Sequence, residues 1–232
     1  MIVNLEDFEF AALQKADNYR AALLAEFASF LAGHVLEVGA GIGQLSEALL
    51  QKKEIERLIS VEPDARFADR LRSKFPQLEL IQGTIDDVPA AVPVDAILSV
   101  NVLEHIEADE HELSSYRQRL AKRQGTLCLF VPARPELFTA IDRDFGHFRR
   151  YTRAGLRVKL ETAGFTVRRL AYFNLIGYFG WWWNFHLLKK RSFAAEQVRF
   201  FDRYIFPLQH RIEANVMRPP IGMSLLAVAA AE

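Results

Sequence analysis

The run Val35-Leu36-Glu37-Val38-Gly39-Ala40-Gly41-Ile42-Gly43-Gln44 constrains this chain more than any other segment, because it joins an apolar strand to a helix through three closely spaced glycines. Glycine lets the backbone turn sharply and leaves no Cβ where a ligand must approach, and the following helix aims its N-terminal amides at that ligand. The segment therefore reads as a nucleotide-cofactor loop, and its details select among cofactors. A dinucleotide fingerprint G-x-G-x-x-G counted from Gly39 requires glycine at position 44, where Gln44 stands. The phosphate-cradling run G-x-x-x-x-G-K-[ST] is absent. Glu37, facing the turn, would repel a pyrophosphate and welcome a ligand that carries an ammonium group.

The pattern E-x-G-x-G-x-G resembles motif I of the class I S-adenosylmethionine (SAM)-dependent methyltransferases. SAM carries a sulfonium and an ammonium, so an acid beside the loop makes electrostatic sense. The resemblance assigns Glu37, Gly39, Ala40, Gly41 and Gly43 to the cofactor, with S-adenosylhomocysteine as the product left after transfer.

With 232 residues, half of them hydrophobic, the chain can bury a substantial core as one domain spanning residues 1–232. Lys plus Arg equals Asp plus Glu at 29 each, which gives no global electrostatic case for nucleic acid. The single cysteine, Cys128, sits in an apolar run, so a disulfide within the chain is ruled out and a reduced interior thiol is expected. The segment Asn4-Leu5-Glu6-Asp7 lacks the basic-then-apolar order of a signal peptide, and a cytoplasmic location is expected.

Residues 6–31 carry Phe8, Leu13, Leu23, Leu24, Phe27 and Leu31 at helical spacing, so residues 1–33 are expected to form a helical cover for one edge of the cofactor site. Strands are then read at 35–38, 57–62, 78–82, 94–100, 125–131, 165–170 and 222–230. Helices are read at 45–50, 65–74, 110–123 and 152–163. Strands separated by helices of this length imply an α/β, doubly wound sheet with ligands gathered at the carboxyl ends of its strands. The resemblance adds a Rossmann-like, mostly parallel sheet of seven strands whose last strand is antiparallel. Residues 172–220 are long for a connection and are expected to hold a helical, aromatic-rich insertion before that strand, serving as lid, interface or surface anchor.

Glu62 closes the second strand about twenty residues beyond the glycine loop, where an acid accepts both ribose hydroxyls in nucleotide-binding folds. Pro63 and Asp64 then turn the chain and cap the next helix. Gly83-Thr84-Ile85-Asp86 stands where the family has its adenine-binding loop, with Thr84 in the place of the usual acid. The amino-group contact then passes to Asp86 or to water, and the Ile85 N–H meets a ring nitrogen. Asn101-Val102-Leu103-Glu104-His105 resembles the family's segment after the fourth strand, which implies that Asn101 and Val102 contact the cofactor while Glu104 and His105 organise the loop. By analogy Tyr19, on the leading helix, reaches the methionine carboxylate.

The segment Asp142-Arg143-Asp144-Phe145-Gly146-His147-Phe148-Arg149-Arg150-Tyr151 resembles the D-x-x-x-G-H-x-R-R-Y signature of a bacterial small-molecule methyltransferase subset. Methyl transfer to oxygen needs an in-line nucleophile and a base. His147 can serve near neutral pH, Asp142 can orient it or take the proton itself, and Arg149 and Arg150 can bind an anionic acceptor or pair with Asp142 and Asp144. No metal is expected. Residues 173–191 concentrate all three tryptophans before Lys189-Lys190-Arg191, but polar residues interrupt the apolar run below the roughly eighteen residues that span a membrane. A lid over an apolar acceptor, a homodimer face, core packing or a peripheral membrane contact are the readings of that stretch.

The function expected is methyl transfer from SAM to a small-molecule or carrier-linked acceptor at oxygen. Two rivals stand beside it. An NAD-dependent oxidoreductase or epimerase is opposed by Gln44 and by the absence of a Tyr-x-x-x-Lys pair. A non-catalytic SAM-binding, membrane-peripheral partner is opposed by the intact acceptor-side loop.

Overall fold

The computed structural model describes residues 16–190, 195–215 and 218–232. Phe8 and Leu13 of the expected leading helix, and Arg191 of the basic run, lie outside them. Seven strands form one sheet: β1 (Gly33–Val38), β2 (Ile55–Glu62), β3 (Glu79–Gln82), β4 (Ala96–Val100), β5 (Thr126–Pro132), β6 (Thr166–Phe173) and β7 (Ser224–Ala230). Their order is β3-β2-β1-β4-β5-β7-β6. Strands β1 to β5 pair in parallel, whereas β7 runs antiparallel between β5 and β6.

Both faces of the sheet are covered, which is why its central strands β4, β5 and β7 are almost continuously apolar. Alternate residues divide between two cores. In β5, Leu127, Leu129 and Val131 face the core shared with Leu113, Leu120, Leu156 and Leu160, whereas Cys128 and Phe130 face the core shared with Leu23, Phe27 and Leu71. Cys128 is a buried free thiol. The covering helices are α1 (Asp17–Phe27), α2 (Ser46–Leu49), α3 (Ala65–Lys74), α4 (Asp109–Ala121), α5 (Ala140–Asp144) and α6 (Arg153–Thr162). Strand β6 runs three residues past its expected end because β7 offers it pairing partners as far as Phe173.

Asn174, in the left-handed region, caps α7 (Leu175–Trp181), which runs on through a π-helical stretch, Trp182–Leu187. A second helical rod consists of α8 (Ala195–Phe200), a π-helical stretch Phe201–Ile205 and α9 (Phe206–Asn215). Among the described residues no helix is long and apolar enough to cross a membrane.

The two helical additions are tied together by one carboxylate. Ala16, at the N-cap of α1, has no side chain to accept the orphan amides of the first turn. Asp202 of the second rod does so from far along the chain: its carboxylate accepts the N–H of Tyr19 at 2.8 Å and of Asn18 at 3.0 Å. The Tyr19 ring then packs edge-on against Phe130 and Phe173 and tilted against Phe206. Replacing an N-cap acid costs about 0.5–2 kcal/mol, so Asp202→Ala should lower unfolding stability by that amount in urea titrations. An unchanged midpoint would mean that packing alone holds α1 in place.

Candidate functional site

Two cavities lie beside each other above the carboxyl ends of the central strands. The first, about 510 Å³, opens where the strand order reverses between β1 and β4, the usual ligand position in an open α/β sheet. Gly39, Ala40 and Gly41 form its floor, and Glu37 stands beneath them. Gly39 has φ +73°, and a Cβ on it would come within 2.3 Å of Val102 Cγ2 packed against it, so only glycine fits. Gly43 is absent from the lining. It supports the turn from behind, with φ +80° and Leu71 and Phe75 of α3 packed where its Cβ would be; the cofactor contact expected of it gives way to a packing role.

Glu37 is buried, and its Oε2 accepts the hydroxyls of Ser46 at 2.7 Å and Ser60 at 2.5 Å. Burial pushes its carboxyl up to about 7, against the pull of those hydroxyls. Glu62, also buried, accepts the Gly41 N–H at 2.7 Å through Oε2 and the Asp64 N–H at 2.9 Å through Oε1. It therefore straps the glycine loop to the end of β2 as well as lining the cavity, and burial raises its carboxyl too. Pro63 lies beside it. Thr84, Ile85 and Asp86 form the far wall. Thr84 caps a short 3-10 turn, its N–H donating to Asp87 at 2.7 Å. Asn101, strained at φ +53°, and Val102 complete the wall at the end of β4.

Sequence reasoning missed Glu112. This half-turn of α4 reads as an ordinary acidic helix start, yet the carboxyl is nearly buried, lines the cavity and is raised by burial.

The second cavity, about 370 Å³ and overwhelmingly apolar, lies between α7, the second helical rod and the loop after α5. Tyr19, Asn101 and Phe145 line both cavities and form the partition between them. The Tyr19 hydroxyl meets the Ser224 and Asn174 side chains, so it faces the apolar side rather than the glycine loop. Trp181 is buried and donates its indole N–H to the Leu137 carbonyl at 3.0 Å.

The segment 142–151 folds around two carboxylates. Asp142, fully buried, accepts the Thr139 N–H at 2.8 Å, Arg150 Nε at 2.6 Å and His147 Nδ1 at 3.3 Å. Burial pushes Asp142 up, but His147 and the Arg150 guanidinium outweigh it and hold the carboxyl below its ordinary value. Asp142 thus stays ionised and orients His147; the expectation that it takes a proton fails because its lone pairs are committed. With Nδ1 turned to Asp142, the His147 ring contributes to the wall of the apolar cavity while its other nitrogen, Nε2, is itself buried.

The arginines are committed as well. Arg150 is buried between Asp142 and the Trp181 ring, 4.5 Å from the ring centre, and Arg149 pairs with Asp109 at 2.8 Å. Neither is a forked clamp open for an anion, and Arg149 takes Asp109 rather than the expected Asp144. Tyr151 closes the unit by donating to Asp109 at 3.0 Å. His105 stands edge-on to His147 with ring centres 4.6 Å apart, and the protein packed around it, with His147 second, pushes its imidazole down to about 4.

These residues fit SAM. The glycine floor leaves backbone at the cavity wall, Glu62 lines the same cavity with carboxylate oxygens suited to a diol, and Glu37 is a buried acid whose raised carboxyl a bound ammonium would relieve. Comparisons with known proteins point the same way. Residues 35–125 match the family model described as a methyltransferase domain. An uncharacterized methyltransferase of Alkaliphilus oremlandii is 26% identical over 98 residues, 42% of this chain and 44% of that protein. The match thus spans less than half of that curated relative. Among solved structures, a Haloferax volcanii chain described as a putative methyltransferase in complex with the Trm112 methyltransferase activator superposes with a TM-score of 0.62 at 21% identity, covering 99% of this chain and 97% of that one. A SAM-dependent methyltransferase from Mesorhizobium loti gives 0.62 at 13% identity, over 90% and 96% of the two chains. Residues 35–125 are thus similar to a methyltransferase domain, and the fold is the Rossmann-like fold that these solved SAM-dependent methyltransferases share.

The raised Glu37 carboxyl has a measurable consequence. The unfolded chain loses this proton near the ordinary glutamate value of about 4.3 and the folded chain near 7, so folding stability falls as pH rises between them. The loss is on the order of 3 kcal/mol above pH 7. Glu37→Gln keeps an acceptor for both serines and should unfold at higher urea than the wild type at pH 8, with the gap closing towards pH 4.5. The same variant should bind S-adenosylhomocysteine at least about tenfold more weakly at pH 8, the worth of one charged contact. A variant no more stable at pH 8 would show that Glu37 is already relieved without ligand.

Proposed function

We propose that this chain transfers a methyl group from SAM to an oxygen of a small-molecule or carrier-linked acceptor whose apolar part fills the second cavity. The observation that carries the proposal is the meeting of a polar, carboxylate-lined cavity with an apolar one across Tyr19, Asn101 and Phe145. When bound, the donor supplies a methyl group already activated on a sulfonium. The protein's share is alignment, which is worth on the order of 7–11 kcal/mol when two reactants are held in line. Glu62 fixes the ribose, Glu37 the ammonium, and the wall formed by Thr84, Ile85 and Asp86 the adenine. Tyr19 and Phe145 exclude water at the partition. His147 is the base assigned to the acceptor hydroxyl, while Asp142 holds its ring.

The acceptor's apolar character has separate support on the outer surface. Phe179, Trp182, Trp183, Leu187 and Leu188 are exposed on α7 and its continuation, ending at the exposed Lys189 and Lys190. On the second rod Phe200, Tyr204, Leu208 and Ile212 are each 47–65% exposed. Residues four apart drift by about 40° on a helix of 3.6 residues per turn, and the wider π-helical stretch Phe201–Ile205 offsets that drift, so the four share a face. Arg199 and Arg203 flank it. Aromatic and aliphatic side chains rimmed by cations fit an anionic membrane surface, and the two helical rods enclose the apolar cavity between them. The helices within residues 172–220 then both touch the membrane and close over an acceptor drawn from it, with the whole chain working as one domain.

Calorimetric titration separates the leading reading from a dinucleotide enzyme: saturable binding of SAM and none of NAD is expected. Glu62→Gln should weaken SAM about 10–100-fold, in line with 1.5–3 kcal/mol for a hydrogen bond to a charged group; unchanged affinity in the folded variant would remove Glu62 from the ribose site. Cosedimentation with vesicles of anionic phospholipid should succeed at low salt and fail when Trp183 and Phe200 are both replaced by Ser. With methyl-labelled SAM and a bacterial lipid extract, label should enter the organic phase. Label confined to water-soluble products would overturn the apolar acceptor.

A further inference from the structure

We infer that Glu104, His105 and His147 bind one divalent transition-metal ion at the junction of the two cavities. One ligand atom from each, a carboxylate oxygen and two imidazole nitrogens, all lie within 4.8 Å of one another. Glu104 and His105 come from the 3-10 turn Leu103–His105 after β4, and His147 from the loop after α5. The two segments are bound together by the backbone, Phe148 N–H donating to the Glu104 carbonyl at 2.8 Å. The convergence is therefore built by the fold and does not follow from a helical repeat.

Two imidazoles and a carboxylate favour first-row transition ions over magnesium or calcium, which prefer oxygen alone. Three protein ligands leave coordination positions open, the mark of a reactive rather than a structural site. The outer nitrogens are held as ligand histidines require. Asp142 accepts from His147 Nδ1, which leaves the lone pair on Nε2, and the Phe145 backbone carbonyl accepts from the His105 ring. The polar groups also suit a cation: two buried carboxyl side chains, Glu104 and Asp142, stand against one buried guanidinium, Arg150, which pairs with Asp142 at 2.6 Å. Position completes the case, since Glu104 and His147 line the apolar cavity and His105 lines the cofactor cavity.

What the ion would do rests on the methyl-transfer reading; that it binds does not. An acceptor hydroxyl entering an open position would lose its proton to solvent more readily beside the ion. Its oxygen would then form the new O–C bond as the S–C bond of the donor breaks, leaving S-adenosylhomocysteine and a methyl ether or ester. His147 then acts as a ligand, and the ion takes over the role assigned above to the histidine.

The test uses the full chain without an affinity tag, stripped with chelator and titrated calorimetrically with MnCl₂, CoCl₂ and ZnCl₂, with cobalt binding also followed by its visible absorption. One ion per chain is expected, with a dissociation constant of about micromolar order, and Glu104→Gln and His105→Ala should each weaken it at least about tenfold while circular dichroism stays that of the wild type. Absence of saturable binding by all three ions would overturn the site, and so would equal affinity in the two variants, which would mean an adventitious ion only. S-adenosylhomocysteine is titrated into the same stripped protein. Cofactor binding without metal binding sinks this inference alone, and metal binding without cofactor binding sinks the methyl-transfer reading alone.

Discussion

The loop that walls the apolar cavity depends on one buried carboxylate. Asp142 gathers the Thr139 amide, the Arg150 guanidinium and the His147 imidazole onto two oxygens. An unsatisfied buried carboxylate would be prohibitive, so the three donors and the acid fix one another. From that knot the rest follows: Arg150 presents its face to Trp181, Trp181 anchors α7, and His147 is turned towards the cavity. Taking the acid away would leave the guanidinium buried without its counter-charge.

Carboxylates crowd the carboxyl ends of the central strands, where Glu37, Glu62, Glu104, Glu112 and Asp142 are all buried or nearly so. Burial, more than their mutual repulsion, raises the Glu37, Glu62 and Glu112 carboxyls, whereas Arg150 and His147 hold Asp142 down. A cation bound among them would ease this tension. The hydrogen bonds that Glu37 and Glu62 accept are what make the tension tolerable, and they also shape the glycine loop.

Much of the fold was legible in the chain itself. The strand boundaries emerge within a few residues because the apolar runs are short and bounded, and Gly39 is readable as a floor residue because no other side chain fits there. Side-chain partnership was harder to read. Gly43 looks like its neighbours in sequence but backs onto Leu71 and Phe75, Arg149 lies beside Asp142 and Asp144 yet reaches Asp109, and Tyr19 turns its hydroxyl from the glycine loop to Ser224. Asp202 and Glu112 carry no local signal at all, since the helix start capped by one and the cavity lined by the other are made by distant elements.

The sequence by itself determined the sheet, the cofactor loop and the acid at the end of β2, because periodicity, glycine sterics and strand-end position are local properties that spacing records. Only the tertiary structure decided the apolar cavity beside that loop and the side chains that meet there. The apolar cavity, the capping of α1 by Asp202 and the approach of His147 to Glu104 and His105 each join segments tens to nearly two hundred residues apart. Their geometry is set by how helices pack over the sheet, and a linear pattern does not encode that distance.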